Sequence, residues 1–248
     1  MSENIGNEFM RRTRPSTLRL SPQQRAIPQP PIQLAYPPDA SLIELPKPTD
    51  LKMPSIDLRT AIEQRISVRR YSKKLLTLEE FSFLLWATQG VKPIKPRPVT
   101  RRNVPSAGAR HAFETYLLLN RVEGLMPGLY RFLALQHALI EENLTADIGA
   151  EISKACFDQK MILNCAAVFI WAGVVERMTW RYVDRGYRYL HLDAGHVCQN
   201  LYLAGEGLDC GTCAIGAFDD VTLNRTIGLD GEKLLVIYLA CVGKKIEK

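Results

Sequence analysis

The sequence has no apolar run long enough to cross a bilayer. Its longest candidate, Cys165 to Val175, falls well short of the ~18–20 residues that a membrane-spanning helix needs. The N-terminus has no signal-peptide hydrophobic region, so a cytoplasmic location is expected and a membrane partner is not. A disulfide framework is also missing, because the six cysteines follow no regular pairing spacing. Cys210-Gly-Thr-Cys213 has the spacing of a metal or redox pair, but no second pair or histidine cluster accompanies it. His191 and His196 stand on one helix at a separation that chelates poorly, and no metal site is expected. Nucleic acid is not expected either. Residues 59–102 carry eleven Lys or Arg against three Glu, yet zinc spacing, aromatic-basic interleaving and a helix-turn-helix pattern are all lacking. No internal repeat is visible.

What remains is a chain of 248 residues, 46% hydrophobic and with a net charge of +6, which is enough for one large domain with a substantial core. Most of its fifteen prolines fall in residues 1–54, which read as an extended arm ahead of a domain over residues 55–248. Spaced apolar residues in the arm (Ile32, Leu34, Leu42, Ile43, Leu45) predict that its second half packs along a partner subunit.

The regular part opens with Ser55 or Asp57 as the cap of a helix to about Gln64. Thr77-Leu78-Glu79-Glu80 sets a hydroxyl three residues ahead of a carboxylate, and Leu78, Phe81, Leu84, Leu85 and Ala87 then share one helical face as far as Gly90. Lys92 to Arg102 reads as a loop, Thr115 to Asn120 as a strand, Leu129 to Phe132 as a hairpin return and Asp147 to Phe157 as a helix. Cys165 to Ala172 and Lys233 to Val242 are nearly continuous apolar runs, as strands buried on both faces should be. Leu190, Ala194, Val197, Leu201, Ala204 and Leu208 recur at alternating spacings of four and three, which makes one long buried helix.

Three segments carry chemistry. Arg65-Ile66-Ser67-Val68-Arg69-Arg70-Tyr71 offers guanidinium forks and a hydroxyl, the donor set that suits a phosphate. Asn103-Val104-Pro105-Ser106-Ala107-Gly108 is a turn of small residues. Gly207-Leu208-Asp209-Cys210-Gly211-Thr212-Cys213-Ala214-Ile215-Gly216 ends the long helix in a glycine-rich stretch whose backbone can approach a flat ring closely. With Tyr182 to Tyr189, Ala194 to Asn200 and the closing Val242-Gly243-Lys244, these segments stand in order from residue 57 to 244. Together they resemble the nitroreductase-like FMN-dependent flavoproteins, and within them the SagB-type dehydrogenases.

That resemblance implies an α+β fold of the FMN-dependent nitroreductase type: a mixed, mainly antiparallel sheet with flanking helices, in an intertwined homodimer with FMN at the interface. It implies that Arg65, Ile66, Ser67 and Arg69 hold the FMN phosphate, with Lys244 or Lys245 as a second donor. Pro105, Ser106, Ala107 and Gly108 would cover the flavin ring from the partner subunit. Cys213, Ala214, Ile215 and Gly216 would face the ring, with the Gly216 N–H aimed at N5, where a donor stabilises developing negative charge. Tyr182 is the catalytic acid–base candidate. Arg181 precedes it where azole-forming relatives typically carry Lys, and Arg cannot give up its proton at working pH. The implied activity is FMN-dependent oxidoreduction through N5. Three forms of it stay open: oxidation of an azoline to an azole on a peptide or small molecule, reduction of nitro compounds or quinones with NAD(P)H as reductant, and a flavin-binding scaffold without turnover of its own.

Overall fold

The computed structural model describes residues 4–92 and 100–247; most of the predicted loop Lys92 to Arg102 therefore lies outside the described residues. Its elements, in chain order, are α1 (Ile5–Arg12), β1 (Ile43–Glu44), α2 (Leu58–Gln64), α3 (Leu78–Gln89), β2 (Phe113–Leu119), β3 (Gly128–Leu133), β4 (Ala138–Asn143), α4 (Ile148–Ala155), α5 (Met161–Asn164), β5 (Ala167–Val174), α6 (Val175–Tyr182), α7 (Gly186–Glu206), β6 (Cys210–Ile215), α8 (Asp220–Thr226) and β7 (Leu234–Lys244). The strands make one sheet in the order β1-β4-β3-β2-β5-β7-β6. All its ladders are antiparallel, and parallel pairing is confined to isolated bridges such as Ser67 with Thr212.

β5 is the middle of the sheet, and every residue of it is buried. Strand alternation sends Ala167, Phe169 and Trp171 to one face and Val168, Ile170 and Ala172 to the other. Each face has its own core. α3 and α7 cover the first with Phe81, Leu84, Leu85, Leu190, Ala194, Val197 and Leu201. α4, α5 and α8 cover the second with Ile148, Ile152, Met161, Ile162 and Leu223. An apolar strand between two helical layers needs no polar face, which is why its sequence runs apolar without interruption.

The helix ends follow their side chains. Asp57 caps α2 by accepting from the Thr60 N–H. Thr77 and Glu80 close a capping box on α3, where Glu80 Oε2 accepts from Thr77 N and Thr77 Oγ1 from Glu80 N, both at 3.1 Å.

Within the chain, the second half of the arm is anchored to the domain by its backbone. Pro31 O accepts from Arg177 Nε at 2.6 Å, Leu34 N donates to Glu114 Oε1 at 2.8 Å, Ala35 O accepts from Arg131 Nη2 at 3.0 Å, and β1 pairs with β4. The physical reason is a buried charge problem. Arg177 and Glu114 form an ion pair at 2.6 Å with side chains only 3% and 4% exposed, and Arg131 is buried as well. Such groups must fill their remaining hydrogen-bond positions, and an extended segment rich in free backbone groups supplies them. The first half of the arm straps the α6–α7 corner. Gln23 N donates to Trp180 O, Trp180 Nε1 to Ile27 O, Arg185 Nη1 to Thr13 O, and Arg188 to both Thr13 Oγ1 and Met10 O.

Candidate functional site

α2 stops at Gln64, and Arg65 turns the chain into an extended segment. That segment docks on β6: Ser67 bridges Thr212, and Val68 N donates to Thr212 O at 2.9 Å. Gly211 makes the docking possible, because a Cβ there would sit 2.5 Å from the Cβ of Val68. Tyr202 of α7 then ties the segment to β6. Its hydroxyl accepts from Ala214 N at 2.9 Å and lies 3.0 Å from Ser67 Oγ, while its ring carries the Arg65 guanidinium 5.4 Å from its centroid. If the phenol donates to Ser67, the serine proton is left free for an outside acceptor. Arg65 is half-buried, Ile66 and Ser67 are exposed, and Arg69 is exposed beside Arg70.

Lys244 and Lys245 are differently engaged. Lys244 Nζ lies 2.5 Å from Glu80 Oε1 and donates to Leu208 O at 2.8 Å; Lys245 Nζ lies 2.5 Å from Glu206 Oε2. Each ammonium is thus committed to a carboxylate from α3 or α7. Beyond β6, Gly216 is exposed, and a Cβ on it would meet only the Tyr238 ring, at 3.7 Å. Cys213 and Ile215 point into the core of the second face, and burial raises the Cys213 thiol against the opposing field of Arg69. Cys210 points into the core of the first face, so alternation along β6 separates the Cys-x-x-Cys pair across the sheet. All six cysteines are free and buried, and no cluster of metal ligands occurs among the described residues.

The third predicted segment lies at a different corner. Ala107 N donates to both oxygens of Asp193 at 3.1 and 3.3 Å, and Ser106 Oγ accepts from His111 N at 2.9 Å. Gly108, Ala109 and His111 all have left-handed backbone, with φ of 57°, 53° and 43°. Gly108 is required twice over, since a Cβ would also sit 2.5 Å from Tyr182 Oη. Tyr182 packs edge-on against Tyr189 at 4.7 Å, and Arg185 Nε donates to Tyr189 Oη at 2.8 Å. Burial, with Arg102 and Arg110 nearby, pushes His111 down to about 3, so it is neutral at physiological pH. Burial raises the Asp193 carboxyl, which its bonds to Ser106 and Ala107 partly offset.

The structure therefore makes two groups of the predicted residues. Arg65, Ser67 and Ala214 meet through Tyr202; Ser106, Ala107 and Gly108 meet Tyr182. Among the described residues no hydrogen bond joins the two groups within the chain. From sequence, Tyr202 counts only as part of the apolar surface around α7, and its one visible signal for a site role is a phenol on an otherwise apolar surface. The half-buried Arg65 and the Ser67 hydroxyl of the first group, with exposed Arg69 nearby in sequence and the open backbone at Gly216, suit a ligand with a phosphate at one end and a flat ring at the other.

The model of the nitroreductase family matches residues 62–244. The chain belongs to the nitroreductase family. A nitroreductase relative from Methanocaldococcus jannaschii, provisionally so named, is 35% identical over 209 residues, covering 84% of this chain and 99% of the relative. The trifolitoxin-processing protein TfxB of Rhizobium leguminosarum bv. trifolii is 31% identical over 115 residues, 44% of this chain and 31% of TfxB. A structure provisionally described as a nitroreductase, from Anabaena variabilis, superposes with a TM-score of 0.69 at 27% identity; it covers 84% of this chain, which spans 42% of that longer one. The Escherichia coli microcin synthetase McbBCD complex, with truncated pro-MccB17 bound, contains a chain that superposes at 0.63 with 20% identity, covering 97% of this chain and 87% of that one. An FMN complex from Desulfovibrio desulfuricans, again provisionally a nitroreductase, gives 0.56 at 16%, covering 78% and 88%. These neighbours share the nitroreductase fold.

Proposed function

We propose that this nitroreductase-family flavin oxidoreductase binds FMN between two copies of the chain and oxidises an azoline in a peptide or small molecule to the aromatic azole. The observation that carries the FMN reading is the Tyr202 hub, which fixes Ser67 and Arg65 beside the backbone of β6. Bound FMN would supply a two-electron acceptor. Arg65, Ser67 and Arg69 would hold its phosphate, and Cys213 to Gly216 would line its ring, with the Gly216 N–H as the donor to its polar edge. Azoline oxidation removes two hydrogens from neighbouring ring carbons, one with its electron pair and one as a proton. Tyr182, as its phenolate, would take that proton; its hydroxyl lies against Gly108 in the segment read as covering the ring. The name of TfxB, a trifolitoxin-processing protein, and the truncated pro-MccB17 bound in the McbBCD complex support a peptide substrate.

A second reading is reduction of a nitro compound or quinone with NAD(P)H. It is favoured by Arg181, which cannot take the proton-handling part of a lysine, and by the provisional naming of the M. jannaschii relative along 99% of its length. A spectrum of the purified protein from ~300 to ~550 nm, with the released chromophore identified, tests the cofactor. Flavin bands and free FMN are expected; a colourless protein that takes up no added FMN removes both readings. Tyr182→Phe then tests the acid–base assignment. Turnover should fall with FMN retained, and unchanged turnover of every accepted substrate ends that assignment.

A further inference from the structure

We propose that Arg110 and Arg181 form a carboxylate-binding subsite beside Tyr182, so that the compound turned over at this corner carries an anionic group next to its reacting centre. That the compound is turned over rests on the oxidoreductase reading; the anion site itself stands on geometry.

Two guanidinium groups converge on Gly108. Arg110 Nε donates to Gly108 O at 3.1 Å, and a Cβ on Gly108 would meet Arg181 Cδ at 3.1 Å and Nε at 3.2 Å, beside Tyr182 Oη at 2.5 Å. Arg110 is buried and Arg181 exposed, so one cation stands at the floor of the corner and the other at its rim. Each lies over an aromatic ring, Arg110 over Trp180 at 5.1 Å and Arg181 over Tyr182 at 5.6 Å. Stacking fixes the guanidinium planes and leaves the N–H edges to donate.

The other buried arginines show what is missing. Arg102 donates to Gln89, Arg131 to Glu142 and Arg177 to Glu114, so each has a side-chain acceptor. Arg110 has one backbone carbonyl and no ion pair among the described residues. No hydrogen bond of its terminal nitrogens occurs among the described residues, and the side chain is not fully enclosed, the residue being 8% exposed. No ion pair joins Asp193 to either arginine among the described residues; its oxygens accept from Ala107 N and Ser106. Burial lowers the Arg110 pKa and the charge of Arg181 lowers it further, the expected response of two cations held close without a counter-charge. A planar anion relieves that repulsion. A carboxylate matches two converging forks better than a spherical ion does.

Calorimetric titration of the full-length protein with benzoate and with its neutral isostere benzamide decides the matter without needing turnover. Benzoate should bind at least about tenfold more tightly, with an affinity that falls as salt is added. Arg181→Gln and Arg110→Gln should each abolish that preference and leave benzamide binding unchanged, while Arg181→Lys keeps part of it. Equal binding of the two compounds, or a preference that survives both glutamine variants, overturns the proposal. If Arg110→Gln does not fold, exposed Arg181 alone decides, because its glutamine variant must lose the preference. Benzoate preference in a protein that holds no flavin supports the subsite and refutes the oxidoreductase reading. Flavin turnover of neutral substrates without benzoate preference refutes the subsite alone.

Discussion

The Tyr202 hub and the Tyr182 corner are built in opposite ways. The hub is assembled from regular structure: an extended segment paired to β6, a helix residue reaching its backbone, and a glycine that lets the two approach. The corner is assembled from left-handed residues, stacked cations and an irregular strap that holds it from outside. Under the proposed function, the hub would grip a cofactor phosphate and would gain from the rigidity of sheet pairing. The corner, which would meet the substrate, carries left-handed backbone, and strain of this kind persists only where surrounding contacts overdetermine it.

Perturbations should therefore separate the two regions. The largest effect is expected from Arg177→Ala, which leaves Glu114 buried without its partner and frees the arm at Pro31; a loss of about 3–5 kcal/mol in urea unfolding is expected, with faster amide exchange around residues 29–35. Exchange that speeds up equally at residues 67 and 68 would break the distinction. Acid comes next. His111 has a folded pKa depressed to about 3 from an ordinary 6.5, so the unfolded chain binds its proton more readily. Its contribution to stability is complete above pH ~6.5 and declines as pH falls towards ~3. His111→Asn should flatten that part of the stability profile, and an unchanged slope would show that other groups set it.

Gly211→Val acts at the hub alone. The clash with Val68 should cost about 1–3 kcal/mol and displace the segment bearing Arg65 and Ser67, so FMN affinity by fluorescence titration should collapse while the corner stays ordered. The smallest change is Tyr202→Phe, which leaves Ala214 N unpartnered and Ser67 unfixed for about 1 kcal/mol of stability. A several-fold weaker FMN affinity is expected, and an unchanged one would show that Ser67 needs no fixing.

The sequence carried the parts of this molecule that depend on neighbours along the chain. The capping box at Thr77 and Glu80, the fully buried β5 and the apolar stripe of α7 are local patterns, and each forms where periodicity places it. What depends on distant groups was hidden. Prolines in residues 1–54 read as an extended arm, although α1 forms ahead of the first of them, and they say nothing of the surface the arm covers; no local pattern reveals that Arg131 and Arg177 take carbonyls from residues 35 and 31. The carboxylates that hold Lys244 and Lys245 come from α3 and α7, brought together by packing alone. The separation of Cys210 from Cys213 needed only the knowledge that their segment is a strand. The left-handed backbone at Ala109 has no residue signature, because alanine is not among the residues that usually mark it.

The strap over the α6–α7 corner has a consequence in time as well as in space. Thr13 meets Arg185 and Arg188 across separations of 172 and 175 residues, and Ile27 meets Trp180 across 153. During synthesis the first residues leave the ribosome with nothing to hold, and the latch closes only after α7 has emerged and the sheet is in place. Contacts of such sequence separation form late. The corner that carries Tyr182 is thus completed only after most of the chain has been made.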